Sequence, residues 1–170
     1  MISRKYPTQV IHLDDFHNPR AIRYAGENQA ENYFLRSFNI NLIIEKLLAP
    51  LQIKPTLSAR LTLLDVDTDK YKVVKNYAIN HDTIVIFEGV FLFRKELSPY
   101  IDCKIFLNIP LEESKKRAIV RDPQAIVSKY DVKYLRAQLK YMNEYPPPLT
   151  ADIIIDNIDW EYPKITFPRE

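Results

Sequence analysis

The chain has 170 residues, 46% of them hydrophobic and 27% charged, with 24 basic against 22 acidic side chains and a net charge of +2. This composition excludes a disordered chain and lacks the basic excess that would point to nucleic acid or an anionic membrane as partner. Only two glycines occur, Gly26 and Gly89, where average usage predicts roughly twelve, so neither GxGxxG nor GxxxxGK[ST] can be written anywhere in the sequence.

A length of 170 residues suits one domain, residues 1–170, able to bury a core without disulfides or metals. The single Cys103 has no internal partner, and in the apolar stretch Cys103 to Ile109 it is expected to be a buried thiol rather than a nucleophile. No stretch has the length of a membrane span, and the N-terminus lacks the apolar core of a signal peptide. The expected location is the cytoplasm.

In chain order, Gln9 to Leu13 reads as a strand ended by Asp14-Asp15, and Asn18-Pro19 marks a loop. From Glu31 to Leu48, apolar Phe34, Leu35, Phe38, Leu42, Ile43, Leu47 and Leu48 recur at three- and four-residue spacing, which predicts one helix ended by Pro50. Leu61 to Leu64 and Tyr71 to Ile79 form a predicted hairpin. Thr83 to Phe87 is a continuous apolar run, predicted as a strand buried on both faces, with Glu88-Gly89 directly after it. Ile101 to Ile109 is a further predicted strand, and Pro110 suits the first turn of a helix from Leu111 to Asp122. Its Glu112/Lys116 and Glu113/Arg117 pairs have i,i+4 spacing. Val132 to Asn143 reads as helix, Pro146 to Pro148 as a rigid connector, and Ile153 to Ile155 as a last strand.

Short apolar runs alternating with amphipathic segments predict an α/β fold with a mostly parallel sheet flanked by helices. In such sheets ligands bind beyond the carboxyl ends of the strands. Asp14 and Asp15 stand at one such end and Glu88 at another. A carboxylate there can take a proton from a hydroxyl or hold a metal; a turn or helix cap is an equally ordinary use of aspartate. Glu88, after a buried strand and before a glycine that permits close approach, leans toward function. A zinc site from His12, Asp14 and His17 is disfavoured, because the break at Asn18-Pro19 leaves His17 without a fixed direction. Asp65-Val66-Asp67-Thr68-Asp69 fails as a calcium loop, with Lys70 at the glycine position and Asn76 at the twelfth, and reads as a polar hairpin turn that leaves Asp65 as a candidate substrate contact. Arg117 and Arg121, one helical turn apart, can clamp phosphate oxygens, or Arg117 can simply pair with Glu113.

In this order, Val10 to His17, Leu64-Asp65, Ile84 to Val90, Arg117 to Asp122 and Ala151 to Ile155 resemble the uridine kinase and phosphoribulokinase-like group of P-loop kinases over almost the whole chain. The resemblance implies a P-loop NTPase-like fold of nucleoside-kinase type and transfer of the terminal phosphoryl group of MgATP to a hydroxyl of a small molecule, a nucleoside, sugar or polyol. It makes Asp14 the catalytic base, with Arg117 and Arg121 as phosphate-contacting residues at the edge of a lid-like helical region, 111–145. Glu88, with Asp14, becomes the magnesium-linked position, and Asp15, His17 and Asp65 become substrate contacts. Two departures go with it. The segment after Leu64-Asp65 lacks the aromatic residues and histidine that hold a pyrimidine, so uridine is not the expected acceptor. The family's first strand, P-loop and first helix have no counterpart here, so the chain alone is expected to bind MgATP poorly and to transfer phosphate weakly or not at all. Loss of that strand is also expected to leave two open sheet edges, which favour association between copies of the chain. The alternatives of other classes are a non-catalytic small-molecule-binding remnant of the family and, behind it, a metal-dependent hydrolase using Asp14, Asp15 and Glu88.

Overall fold

The computed structural model describes residues 5–123 and 129–167. They divide into two compact units, one formed by the chain up to Glu27 together with Leu35–Leu92, the other by Asn28–Phe34 and the chain from Phe93 onward.

In the first unit, β1 (Thr8–His12) lies parallel to β4 (Ile84–Glu88), in register from Thr8↔Ile84 to His12↔Glu88. A single 3-10 turn, Leu13–Phe16, follows β1. Its three-residue period turns Leu13 and Phe16, each 1% exposed, into the core and leaves Asp14 and Asp15 between them on the outer side. The chain then passes through α1 (Arg20–Arg23). The hairpin of β2 (Leu57–Asp65) and β3 (Lys70–Ile79) is antiparallel and longer than its apolar core suggests. Alternate residues Val73, Lys75, Tyr77 and Ile79 of β3 are the less exposed ones, as a half-buried strand requires. The register shifts between Leu63 and Leu64, a bulge that adds Lys72 to β3 next to the turn.

The predicted helix from Glu31 to Leu48 is two. Helix α2 (Gln29–Arg36) stops before Phe38, which forms an isolated bridge with His17. The backbone there is taken up by Asn18 N to Ser37 O (2.8 Å) and Asn39 N to Phe16 O (2.8 Å). The Asn39 side chain then accepts from Leu42 N at 3.0 Å and caps a new start, satisfying a donor that the first turn leaves open. Helix α3 (Ile40–Ile43) runs through a π-helical stretch (Ile44–Leu48) into α4 (Ala49–Ile53). Pro50 therefore does not end this segment. It lies in the first turn of α4, where its missing N–H is no loss, and the wider π turn before it makes room for the ring.

The prediction that β4 is buried on both faces also fails, since Ile86 is 38% exposed. Among the described residues β4 pairs with β1 alone, and one ladder covers only one edge.

In the second unit, β5 (Ile105–Asn108) is parallel to β6 (Ile153–Asp156), which is antiparallel to β7 (Lys164–Thr166). The predicted strand from Ile101 is shortened to four residues because the chain before it forms a 3-10 turn (Ser98–Tyr100) and a bend. Lys104 N instead donates to the Asp152 carboxylate at 2.6 Å. Cys103 is exposed in that bend, not buried, since it precedes the strand rather than belonging to it. The three-residue β7 has too little apolar pattern to be seen in the sequence. Helix α5 (Leu111–Arg121) begins after Pro110 as expected. Within it Glu113 serves both bases, at 3.1 Å from Arg117 and 3.9 Å from Lys116. A π-helical stretch (Tyr130–Leu135) leads into α6 (Arg136–Glu144); the part of the lid-like region at 124–128 lies outside the described residues. The proline run is itself a one-turn helix, α7 (Pro147–Thr150), for prolines fit a first turn. Among the described residues no helix is long and apolar enough to cross a membrane.

Candidate active site

Four of the site candidates of the first unit, Asp14, Asp15, His17 and Glu88, gather where β1 and β4 end. Parallel register sets His12 opposite Glu88, and His12 Nδ1 meets a Glu88 carboxylate oxygen, both side chains about half exposed. The turn after β1 carries Asp14 exposed and Asp15 partly covered. Its seat depends on Gly89, whose φ is +151° and where a Cβ would lie 2.4 Å from the Leu13 Cβ. With Leu13 fixed in the core, only glycine fits at that point. Glu88-Gly89 thus contributes a carboxylate and, in the next residue, the clearance that holds the aspartate turn against the strand.

Asp15 is bound to Lys75 Nζ at 3.1 Å. Beside it Tyr77 packs at 6.3 Å from the Phe16 ring, and its buried hydroxyl has no hydrogen-bond partner. Burial, with the Asp15 charge second, pushes the phenol up to about 12. Lys75 and Tyr77 are site neighbours that the sequence reading missed. The available signal was a lysine at an inward position of the alternating β3 pattern, where an apolar residue is the rule. His17 is directed locally: its Nδ1–H donates to Asp14 O at 2.6 Å, and its ring packs on Phe38 with centroids 4.8 Å apart. The bond ties the far end of the turn to the residue proposed as base.

Asp65 behaves as a turn residue. One carboxylate oxygen accepts from Thr68 N (2.8 Å) and the Thr68 hydroxyl (2.9 Å), and the other meets Lys72 Nζ at 3.1 Å. The Thr68 backbone bond, then the Thr68 hydroxyl and Lys72, hold its pKa down at about 2.

In the second unit, Arg117 bonds Glu113 through Nε (3.1 Å) and donates from Nη2 to the carbonyls of Asn157 (3.0 Å) and Ile158 (2.7 Å). Its fork ties α5 to the chain after β6. Arg121, at the end of α5, is exposed. The two arginines therefore differ, one engaged by the fold and one turned to solvent.

The donor set fits a nucleotide-bound magnesium only in part. Glu88 offers the hard oxygens that magnesium prefers, but it already pairs with His12, and among the described residues no three His, Cys, Asp or Glu side chains converge as a metal-binding group. Nor do Gly26 and Gly89, standing singly, form a cradle of backbone N–H groups for a triphosphate. Among the described residues, neither a three-ligand metal group nor a glycine cradle for a triphosphate is formed.

No family model matches the chain. Among solved structures, a protein of Bacillus stearothermophilus assigned as a uridine kinase matches 91% of this chain and 75% of its own, at 23% identity and a TM-score of 0.69. Phosphoribulokinase of Rhodobacter spheroides matches 91% of this chain and 61% of its own, at 13% identity and a TM-score of 0.60. A Silicibacter protein assigned as a fructose transport system kinase matches 81% and 67%, at 18% identity and 0.53. Parallel strands ending in acidic residues, the aspartate turn and these three likenesses agree on one architecture: the chain has the P-loop NTPase-like fold of the kinases that include uridine kinase and phosphoribulokinase.

Proposed function

We propose that this chain serves ATP-dependent phosphoryl transfer to a hydroxyl of a small molecule, a nucleoside, sugar or polyol, and that its described residues form the acceptor side of that reaction. The observation that carries the reading is the exposed Asp14 on a 3-10 turn anchored by buried Leu13 and Phe16 at the carboxyl end of a parallel strand. A carboxylate so fixed can receive the proton of an attacking hydroxyl, while Asp15, held by Lys75, lines the same turn. His17 steadies the turn through the Asp14 carbonyl. In phosphoryl transfer the protein contributes mostly position and charge neutralisation, and here the position comes from the turn. MgATP is the expected phosphoryl source for this fold, and the chain itself is expected to hold it poorly, for want of a glycine-rich loop among its 170 residues.

The second reading, a small-molecule-binding protein without transfer, is favoured by the commitment of Arg117 to Glu113 and two carbonyls. One experiment separates the two. The full chain is mixed with a panel of nucleosides, hexoses and polyols, and binding by calorimetry and transfer from MgATP are followed on the same samples. Transfer that falls at least about a hundredfold in Asp14→Asn, with acceptor binding kept, supports the kinase reading. Acceptor binding without transfer even at millimolar MgATP, where weak nucleotide affinity no longer limits the reaction, supports the binding protein. Absence of both rejects an acceptor site at Asp14.

A further inference from the structure

The first unit holds an arginine that none of the preceding chemistry uses. The Arg23 side chain on α1 is only 9% exposed, yet its Nε and Nη2 are buried with no hydrogen-bond partner. The nearest carboxylate oxygen, Asp69 Oδ1, is 3.7 Å from Nη2, beyond hydrogen-bond reach, and it already accepts from Arg20 N at 2.9 Å. A guanidinium keeps its charge at every physiological pH, so burying two of its donors unmet is a standing cost.

The two unmet atoms are not scattered around the group. Nε and Nη2 share one edge of the planar guanidinium, the edge that presents two parallel N–H bonds to the paired oxygens of a carboxylate or phosphoryl group. The guanidinium carbon lies over the Tyr24 ring, 5.4 Å from its centroid.

Nor is Arg23 needed to join α1 to the hairpin. Arg20 does that, donating from Nη2 to Val66 O (3.3 Å) and Asp67 O (2.9 Å) and from its own N to Asp69. Asp69 is held in turn, at φ +56° with its N bonded to Asp65 O at 2.8 Å. The frame around Arg23 is thus built by other residues, and the arginine is carried within it.

We propose that Arg23 is the anchor of an oxyanion-binding site between α1 and the β2–β3 turn, taking the two oxygens of a phosphoryl or carboxylate group along its Nε–Nη2 edge. Asp69 is the neighbouring negative charge that limits its affinity. The site is independent of the role given to Asp14.

The test is a titration of the full chain with inorganic phosphate or with acetate at constant ionic strength, followed by thermal unfolding and calorimetry. At least one anion gives a saturable rise in Tm with one-to-one binding; phosphate alone identifies a phosphoryl site, acetate alone a carboxylate site, and both a general two-oxygen site. Arg23→Met weakens that binding at least about tenfold, the loss of one two-bond contact. Arg23→Lys, which keeps the charge without the edge, weakens it too and decides the matter if the methionine variant does not fold. Asp69→Asn binds more tightly. No saturable response to either anion, or a wild-type response in both Arg23 variants, overturns the proposal.

Discussion

Among the described residues two arginines are buried, Arg23 in the first unit and Arg94 in the second, and they are used in opposite ways. Arg94, in the second unit, donates from Nη2 to Phe34 O at 2.7 Å and lies 5.0 Å above the Phe34 ring. Around it Phe34, Tyr141 and Tyr145 pack with centroids 6.1 to 6.3 Å apart, and the Tyr141 hydroxyl accepts from Phe93 N at 3.0 Å. Burial lowers the Arg94 pKa, but the charge is answered by a carbonyl and an aromatic face. Arg23, in the first unit, has an unanswered edge. A buried charge that the fold has satisfied is part of its scaffold; one left unsatisfied marks a place where something else belongs.

Substitution can break this contrast. Arg94→Met removes a buried charged hydrogen bond to Phe34 O and the packing of the guanidinium on the Phe34 ring, and it is expected to lower stability by about 3 kcal/mol in urea unfolding. Arg23→Met, in the absence of anions, is expected to change it by less than about 1 kcal/mol, because no hydrogen bond from its orphaned edge is lost. Equal losses would erase the distinction. Next in size is Gly89→Ala, expected to cost about 2 kcal/mol from the positive φ and the clash with Leu13; unchanged stability would show that the aspartate turn does not depend on this glycine.

The smallest effect concerns the hairpin turn beside Arg23. The Asp65 pKa is held at about 2 in the fold, below the ordinary aspartate value of 3.8. A depressed carboxylate stabilises the fold above its unfolded value and loses that contribution as pH falls toward its folded one. The stability difference between wild type and Asp65→Asn should therefore be steady above about pH 4 and shrink as pH falls toward 2. A pH-independent difference would contradict the turn geometry.

The sequence was most legible where one pattern decided the outcome. Alternation and apolar runs marked β1, the β2–β3 hairpin and β6, and the order of Asp14, Glu88 and the last strand pointed to the kinase fold. What stayed hidden depended on contacts distant in sequence. The break at Phe38 comes from a bridge to His17, and Pro50 is tolerated because the helix before it widens. Lys75 comes to Asp15 only when the hairpin packs on the turn. Cys103 reads as buried in the sequence because its apolar neighbours suggest a strand, while the backbone spends that stretch in a turn and a bend. The Glu113/Arg117 pair was readable from spacing, but the two carbonyls that complete Arg117's engagement lie 40 and 41 residues away.

The central claim is that this chain binds an acceptor hydroxyl at the Asp14 turn and does not by itself hold the nucleotide. Backbone amide shift mapping of the full chain, titrated with nucleosides, hexoses and polyols and then with MgATP, tests it most directly. The account predicts saturable shifts at Leu13 to His17 with at least one hydroxyl compound and no micromolar response to MgATP. Micromolar MgATP binding with an unperturbed Asp14 turn across the panel would contradict it.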